Sequence, residues 1–163
     1  MKIDTKTIAF NAIIAAVYGA LTILLAPISY GSIQMRISEI MVFLAFYNKK
    51  YIPGLVLGCF IANIPSPLGL WDICFGTLAT LIAVIAINKL PNRYLGALAG
   101  ALANGLIVGL ELAINFPLGK NMFVNYGLNA GYVFIGELAI LVIGAFVFGL
   151  LEKNKQVEHL LEA

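Results

Sequence analysis

Long apolar runs separated by short polar segments make up most of this chain. They predict membrane-spanning helices over residues 8–26, 37–47, 52–64, 70–87, 94–116 and 132–151. A bilayer core about 30 Å thick takes about 20 helical residues to cross, and the first, fifth and sixth runs meet that length. We predict an all-α membrane protein, with six transmembrane helices in a compact bundle that forms a single domain over residues 1–163.

The second and third runs are short and are joined by Asn48, Lys49 and Lys50. About 13 helical residues rise roughly 20 Å, less than the thickness of the bilayer core. A re-entrant hairpin is the alternative, but it places both lysines in the middle of the membrane at about 2.5–3.5 kcal/mol each. We therefore favour two full crossings, lengthened by polar residues at their outer ends and by lysines that extend to the inner interface.

The overall composition indicates that the solvent of this chain is lipid. Of its residues, 61% are hydrophobic and 11% are charged, against roughly 25% charged in ordinary globular domains. The net charge of +2, without a basic cluster, argues against nucleic-acid binding. Cys59 and Cys74 lie in apolar runs, where we expect them to be small apolar fillers instead of a disulfide.

The basic residues predict the orientation of the bundle. Six crossings put both termini on one side of the membrane. The Lys and Arg residues on that side are Lys2, Lys6, Lys49, Lys50, Lys89, Arg93, Lys153 and Lys155. Arg36 and Lys120 lie on the other side. The positive-inside rule makes the more basic side, and both termini, cytoplasmic.

The acidic residues of the apolar runs all fall on the outer side of this topology. With their polar neighbours, they are Glu39, Asp72, Glu111, Glu137, Arg36 and Asn63. Ionisable groups in hydrocarbon are costly unless they pair with one another, with water or with a ligand. Their gathering in one leaflet predicts a solute pocket that opens to the outside.

Several of these residues also have structural explanations. Arg36 and Glu39 are three positions apart, so they share a helix face and can simply pair with each other. Asp72 at a helix start stabilises the helix dipole, and Trp71 is typical of the aromatic belt at a membrane interface. Glu137 stands several residues inside its run, where a solvated surface position explains it poorly.

The polar groups of the predicted pocket suit a small, flat, nitrogen-rich ring. Carboxylates accept hydrogen bonds from the N–H groups of a purine-like edge, and Gln34 adds an amide. Trp71, Tyr126 and Tyr132 are candidate stacking platforms. Tyr126 belongs to a predicted connection over residues 118–131, whose glycines are candidate hinges for closure over a ligand.

The sequence contains no motif for catalysis or ATP hydrolysis. It has no GxxxxGK[ST] phosphate loop, zinc-type histidine spacing, serine elbow or CxxC. Its single histidine, His159, lies in the C-terminal tail. We predict a protein that is not an enzyme, uses no cofactor or metal, and does not hydrolyse ATP through a phosphate loop.

Small residues recur at every fourth position in three of the predicted helices. The rows are Ala12, Ala16 and Ala20; Gly54, Gly58 and Ala62; and Ala97, Ala101, Gly105 and Gly109. Such rows let helices approach closely. Packing inside the bundle explains the recurring pattern, and the row on the first helix is the best candidate for contact with another protein.

Three motifs of this chain resemble those of a known transporter family. They are GSIQMRISE over residues 31–39, GCFIAN over 58–63 and GLWDICFGTLAT over 69–80. The chain resembles the substrate-binding S components of energy-coupling factor (ECF) transporters, specifically the QueT group linked to queuosine precursors. The hydropathy profile agrees over the whole chain.

The resemblance implies a six-helix S component that binds a 7-deazaguanine, such as prequeuosine or queuine, in an outward-facing pocket with high affinity. It also implies docking through Ala12, Ala16 and Ala20 onto a membrane-embedded T component that works with two cytoplasmic ATPases. The candidate substrate ligands are Gln34, Arg36, Glu39, Asn63, Trp71, Asp72, Glu111, Tyr126 and Glu137.

We hypothesise that Asp72 or Glu137 receives the guanine-like edge. Other functions remain open at this point. The chain is alternatively an S component for another vitamin-like heterocycle, a non-transport subunit of a larger complex, or a membrane enzyme acting on lipid with Glu137 or Asp72 as base. The enzyme alternative lacks a nucleophile or metal motif.

Overall fold

The structure is a computed structural model that describes residues 4–31 and 33–162, and within these residues it is helical and contains no strand. The helices are α1 (Thr5–Leu24), α2 (Ala26–Ser29), α3 (Leu44–Tyr47), α4 (Ile52–Asn63), α5 (Leu70–Lys89), α6 (Arg93–Asn115), α7 (Met122–Leu151) and α8 (Lys155–Glu162). Short 3-10 segments cover Ile37–Phe43 and Lys49–Tyr51. Lys2, one of the basic residues of the predicted cytoplasmic side, and Ser32, in the first family motif, lie outside the described residues.

Four of the described helices are long and apolar enough to cross a membrane: α1, α5, α6 and α7. The second predicted run instead folds as 3-10 turns over Ile37–Phe43 that continue into α3. A 3-10 helix rises about 2.0 Å per residue against 1.5 Å in an α-helix, so this run reaches roughly 20 Å. The chain is thus an all-α, multi-pass membrane protein.

The outer end of α7 differs from the prediction. The sequence predicted a connection over residues 118–131, but α7 already begins at Met122. The side chain of Asn121 caps this start by accepting a backbone hydrogen bond at 2.9 Å. Gly127 and Gly131, interpreted as hinges, are held inside the helix, where a glycine costs only about 1 kcal/mol relative to alanine.

The small-residue rows separate into buried and exposed ones. The row on α4 is buried against α1, where a Cβ on Gly58 would lie 2.7 Å from the Cβ of Tyr18. The row on α6 is buried against α7, where a Cβ on Gly109 would lie 2.5 Å from the Cα of Ala130. The row on α1, by contrast, is exposed throughout: Ala12, Ala16 and Ala20.

Both ends of the described chain lie at one end of the bundle, beside the Lys49–Tyr51 turn. In α1, the amide of Asn11 donates to the carbonyl of Lys50 at 2.9 Å. At the other terminus, the hydroxyl of Tyr51 donates to the carbonyl of Leu160 in α8 at 3.1 Å. At the opposite end, the connections that follow α2, α4 and α6 meet around Asp72.

The two cysteines are free, and their surroundings differ. Cys74 is exposed on α5, whereas Cys59 is buried. The Cys59 thiol lies 3.2 Å from the hydroxyl of Thr80 and 3.4 Å from the amide of Asn63. Cys59 therefore packs within the polar cluster as well as the apolar core.

Candidate functional site

Seven of the nine predicted substrate ligands are buried, each with no more than 3% of its surface exposed. They are Gln34, Arg36, Glu39, Asn63, Asp72, Glu111 and Glu137. They come from the connection after α2, the 3-10 segment, and helices α4 to α7. Buried charges are stable only when they are paired or hydrogen-bonded, so the contacts within this cluster determine what it can bind.

Arg36 and Glu39 lie on the same face of the chain at the start of the first 3-10 segment, but their side chains contact different partners. Three residues per turn bring positions i and i+3 into line. Glu39 Oε1 accepts hydrogen bonds from the hydroxyls of Tyr18 and Thr80, the latter at 3.1 Å. Arg36 Nη2 forms its ion pair with Asp72 Oδ1 at 3.7 Å. The direct Arg36–Glu39 pair suggested by the spacing is therefore not the one that the structure contains.

Asp72 lies in the first turn of α5, where a carboxylate also stabilises the helix dipole. The hydroxyl of Ser66 donates to its Oδ2, and the amide of Asn63 donates to its backbone carbonyl at 2.9 Å. The connection between α4 and α5 thus folds back over the carboxylate. The helix dipole accounts for the position of Asp72 but not for its burial beside Arg36.

Glu111 and Glu137 complete the acidic set from α6 and α7. Glu111 interacts electrostatically with Asp72 and Arg36. Glu137 interacts with Glu39 and Arg36. Arg36 is thus shared by two carboxyl pairs, which we call the Asp72–Glu111 pair and the Glu39–Glu137 pair.

Many polar atoms of this cluster are buried without a hydrogen-bond partner among the described residues. They are Glu39 Oε2, Asn63 Oδ1, Asp72 Oδ1, Glu111 Oε1 and Oε2, Glu137 Oε2, and Arg36 Nε and Nη2. A buried polar group without a partner costs about 1–3 kcal/mol. The concentration of such atoms, most of them acceptors, makes this cluster the candidate site for a molecule rich in N–H groups.

Two glycines allow the connection after α2 to approach the cluster. A Cβ on Gly136 would collide with the carbonyl oxygen of Ile33, so this connection crosses α7 directly beside Glu137. A Cβ on Gly76 would lie 2.7 Å from the amide nitrogen of Asn63 and 3.4 Å from Arg36 Nη1. Any larger residue at either position would push the arginine or its loop away from the carboxyls.

A cavity of about 170 Å³ lies at this end of the bundle and reaches Asp72. Its other polar walls include Gln34, Ser66 and Asn129, and Tyr30 contributes an aromatic ring. Gln34 has a left-handed backbone with φ of 49°, a conformation that costs a non-glycine residue about 1–3 kcal/mol. Such strain at a buried residue that lines a cavity is typical of binding sites.

The connection between α6 and α7 covers one side of this cavity and is held by two asparagines. The amide nitrogen of Asn125 donates to the carbonyl of Ala113 at 2.5 Å, and its oxygen accepts from the N–H of Leu118 at 2.6 Å. Asn129 donates to the carbonyl of Phe116 at 3.4 Å. The cover is therefore a hydrogen-bonded loop anchored on the first two turns of α7.

The aromatic residues proposed as stacking platforms do not line this cavity. Trp71 is 41% exposed and packs on Phe75, with ring centroids 5.6 Å apart, as expected of an aromatic belt. The Tyr126 hydroxyl donates to the carbonyl of Leu106 at 3.2 Å. Tyr132 is 45% exposed. Tyr30 and Phe116 are the aromatic residues that line the cavity, and the ring centroid of Tyr30 lies 5.9 Å from Arg36 Cζ.

Four polar residues that the sequence pattern did not single out also contact the cluster or line its cavity. Tyr18 and Thr80 bind Glu39, Ser66 binds Asp72, and Asn129 lines the cavity. A buried tyrosine hydroxyl needs a partner, and Tyr18 lies on the α1 face that packs on α4. That position within an otherwise apolar run is the signal that would have identified it. Within the described residues, no group of His, Cys, Asp and Glu is arranged to hold a metal ion.

Comparison with known proteins identifies one family. The family model described as QueT transporter matches residues 8–153. The queuosine precursor transporter QueT of Lactococcus lactis subsp. cremoris (strain MG1363) is 35% identical over 167 residues, which cover 94% of this chain and 96% of that protein. No solved structure matches the chain.

Proposed function

Since this chain belongs to the QueT transporter family, we propose that it imports a queuosine precursor, a 7-deazaguanine, as the high-affinity S component of an ECF-type transporter. The chain is a multi-pass membrane transport protein and not an enzyme. The observation that carries the proposal is the buried cluster around Arg36, in which carboxylate oxygens lack hydrogen-bond partners.

The chemistry of a 7-deazaguanine complements this cluster. Its N1–H and exocyclic amine form a row of donors that a carboxylate accepts, and its ring carbonyl accepts from a guanidinium. We assign the guanine-like edge to the Glu39–Glu137 pair and the ring carbonyl to Arg36, with Gln34 and Asn63 as further polar contacts. Tyr30 replaces Trp71 as the proposed stacking residue because it lines the cavity.

We further propose six crossings with both termini in the cytoplasm. The contacts of Asn11 with Lys50 and of Tyr51 with Leu160 put both ends of the described chain beside the basic turn over residues 49–51. The positive-inside rule assigns that end to the cytoplasm. The acidic cluster and its cavity then face outward, where an imported solute is captured.

Uptake then requires an energising module, which we propose consists of a T component and two cytoplasmic ATPases. The exposed row of Ala12, Ala16 and Ala20 is the proposed docking face on α1. The two other small-residue rows are buried in helix–helix contacts inside the bundle. A row of small residues lets a partner helix approach closely within lipid, where dispersion contacts replace the hydrophobic effect.

Ala16→Leu is expected to abolish this docking because the added side chain holds the partner helix away from α1. The measurement is co-purification of the tagged chain with co-expressed T component and ATPases. Ala139→Leu makes the same substitution at an exposed position of α7 and serves as the matched control. Assembly of Ala16→Leu at the wild-type level would exclude this face.

The substrate proposal is tested on the purified chain. We expect mass spectrometry to detect a co-purified 7-deazaguanine, and the ligand-free protein to gain about 2.7 kcal/mol of stability at a ligand concentration 100 times Kd. Thermal unfolding with and without the added compound measures the gain. A different co-purified heterocycle would assign the chain to another substrate. Absence of any small-molecule binding would favour a structural subunit.

A further inference from the structure

Two apolar grooves flank the short helix α4 and meet at its first residues. The first groove, between α1 and α4, has a volume of about 590 Å³ and is lined on α1 by Ile8. The second groove, between α4 and α5, has a volume of about 430 Å³ and is lined on α5 by Leu81. Both grooves include Ile52, Pro53 and Leu57. Two apolar grooves that converge at one point match the shape of a molecule with two hydrocarbon chains.

Two lysines stand where the grooves meet. The 3-10 turn Lys49–Tyr51 directly precedes α4, and Lys49 and Lys50 both line the first groove. Lys49 is exposed, and no acidic side chain among the described residues forms an ion pair with it. The ammonium of Lys50 lies 5.4 Å from the ring centroid of Tyr51. An apolar groove with a cationic mouth fits a molecule that has an apolar body and an anionic head.

Hydrogen bonds fix the backbone of this lysine turn. The amide of Asn11 donates to the carbonyl of Lys50 at 2.9 Å, and the side-chain oxygen of Asn48 accepts from the N–H of Lys50 at 3.1 Å. The oxygen of Asn11 also accepts from the N–H of Gly54 at 2.5 Å. The turn therefore holds both lysines at a defined place beside α4, and less freedom is lost when a ligand binds there.

The length of α4 sets the depth of the lysine turn in the membrane. α4 has 12 residues, and together with the turn before it rises roughly 24 Å, against about 30 Å for the hydrocarbon core. In the proposed six-crossing topology, the turn then lies at the inner boundary of the hydrocarbon. A cation at that depth is stabilised by an anion, and the anions that the membrane supplies there are lipid phosphates.

We propose that the two grooves and the lysine turn form a binding site for an anionic phospholipid. Its phosphate binds Lys49 and Lys50, and its two acyl chains lie along α4, one in each groove. The proposed topology assigns this lipid to the inner leaflet. The site lies apart from the acidic cluster, because none of its lining residues lines the cavity at Asp72.

Other occupants satisfy only part of this site. A helix of a partner protein fills an apolar groove but brings no anion to Lys49. A zwitterionic lipid carries a cationic group beside its phosphate, and like charges repel. Free inorganic phosphate pairs with an ammonium group but leaves the apolar walls of both grooves uncovered.

The test compares two lipids that have the same acyl chains and differ in headgroup charge. Native mass spectrometry of the detergent-solubilised full chain, titrated with phosphatidylglycerol or phosphatidylcholine, measures the Kd of the first bound lipid. We expect phosphatidylglycerol to bind about 30-fold more tightly, from about fivefold for each lysine. Lys49→Gln combined with Lys50→Gln should remove this preference, and Lys49→Gln alone should lower it about fivefold. Lys153→Gln combined with Lys155→Gln removes the same charge from exposed positions and is the matched control, which should keep the preference.

A second variant tests where the acyl chains lie. Leu57 lines both grooves and is 48% exposed. Leu57→Trp fills part of each groove and should weaken the binding of phosphatidylglycerol about tenfold, the effect of overfilling an apolar site. Leu98→Trp makes the same change at a 42% exposed position of α6 and should bind as the wild type does.

Four results would overturn the lipid site. The first is equal binding of the two lipids. The second is loss of the preference in both double variants, because the lipid would then respond to net charge and not to the lysine turn. The third is wild-type binding by Leu57→Trp, which would place the chains elsewhere. The fourth is binding of inorganic phosphate as tight as that of the phospholipid, since the grooves would then contribute nothing.

Discussion

Replacing Arg36 with methionine is expected to lower the stability of the ligand-free protein by about 3–5 kcal/mol, the usual cost of leaving a buried charge without its partner. Arg36 is 1% exposed and is the guanidinium shared by both carboxyl pairs. Without it, four acidic side chains lie in a low-dielectric interior with no counter-charge. Thermal unfolding in detergent measures the loss.

Arg93→Met is the matched control for this substitution. Arg93 pairs with Glu152 at the basic end of the bundle, where the two side chains are 21% and 32% exposed. We expect this loss to stay below about 1 kcal/mol, because solvent reaches both side chains and screens the pair. Adding Asp72→Asn to Arg36→Met should recover part of the loss, since it removes one uncompensated carboxylate. Equal effects of Arg36→Met and Arg93→Met would show that Arg36 does not neutralise the cluster.

Loss of ligand-induced stabilisation is the second large effect, and we expect it in both Asp72→Asn and Glu137→Gln. Each amide presents donors where the ligand also presents donors, and losing one partner of a buried charged hydrogen bond costs about 2–5 kcal/mol of binding. A loss of about 2 kcal/mol of binding free energy raises Kd about 30-fold. At 100 times the wild-type Kd, the gain in stability then falls from about 2.7 to below about 1 kcal/mol.

The readout is the shift of the unfolding midpoint with added 7-deazaguanine, measured for each variant against its own ligand-free protein. This comparison separates lost binding from lost stability. Glu158→Gln is the control, because this carboxylate is exposed in α8. Wild-type shifts in both variants would remove Asp72 and Glu137 from the binding site.

Most of the predicted polar residues lie in one cluster. They could be recognised in the sequence because a charged residue inside an apolar run indicates a buried charge. Glu111 and Glu137 interrupt apolar runs, and an ionisable group in such a run faces protein or a ligand instead of lipid. The structure places both in the cluster with Asp72 and Glu39. The resemblance to the QueT group is confirmed by the family match over residues 8–153.

The aromatic residues were harder to assign because a ring is stable both in a pocket and at a membrane interface. Trp71 neighbours Asp72 in sequence, yet it faces outward onto Phe75, because successive helical residues point about 100° apart. Tyr30, in a connection with no periodic pattern, lines the cavity instead. The early start of α7 was not predicted, because polar residues and glycines such as those over 121–131 are typical of loops. In the structure, an Asn cap and tertiary contacts hold these residues in a helix.

Three properties could be read from the sequence alone: lipid is the solvent, the fold is helical, and the acidic residues lie toward one end of the runs. These properties follow from single residues and their order, since hydropathy adds along the chain. The packed helices were needed to show that Arg36 pairs with Asp72, that Glu39 binds Tyr18 and Thr80, and that the Ala12 row is the exposed one of the three. Such contacts depend on how each helix is rotated and offset against its neighbours. Close glycine contacts such as that of Gly136 set these offsets, and residue order along one helix does not specify them.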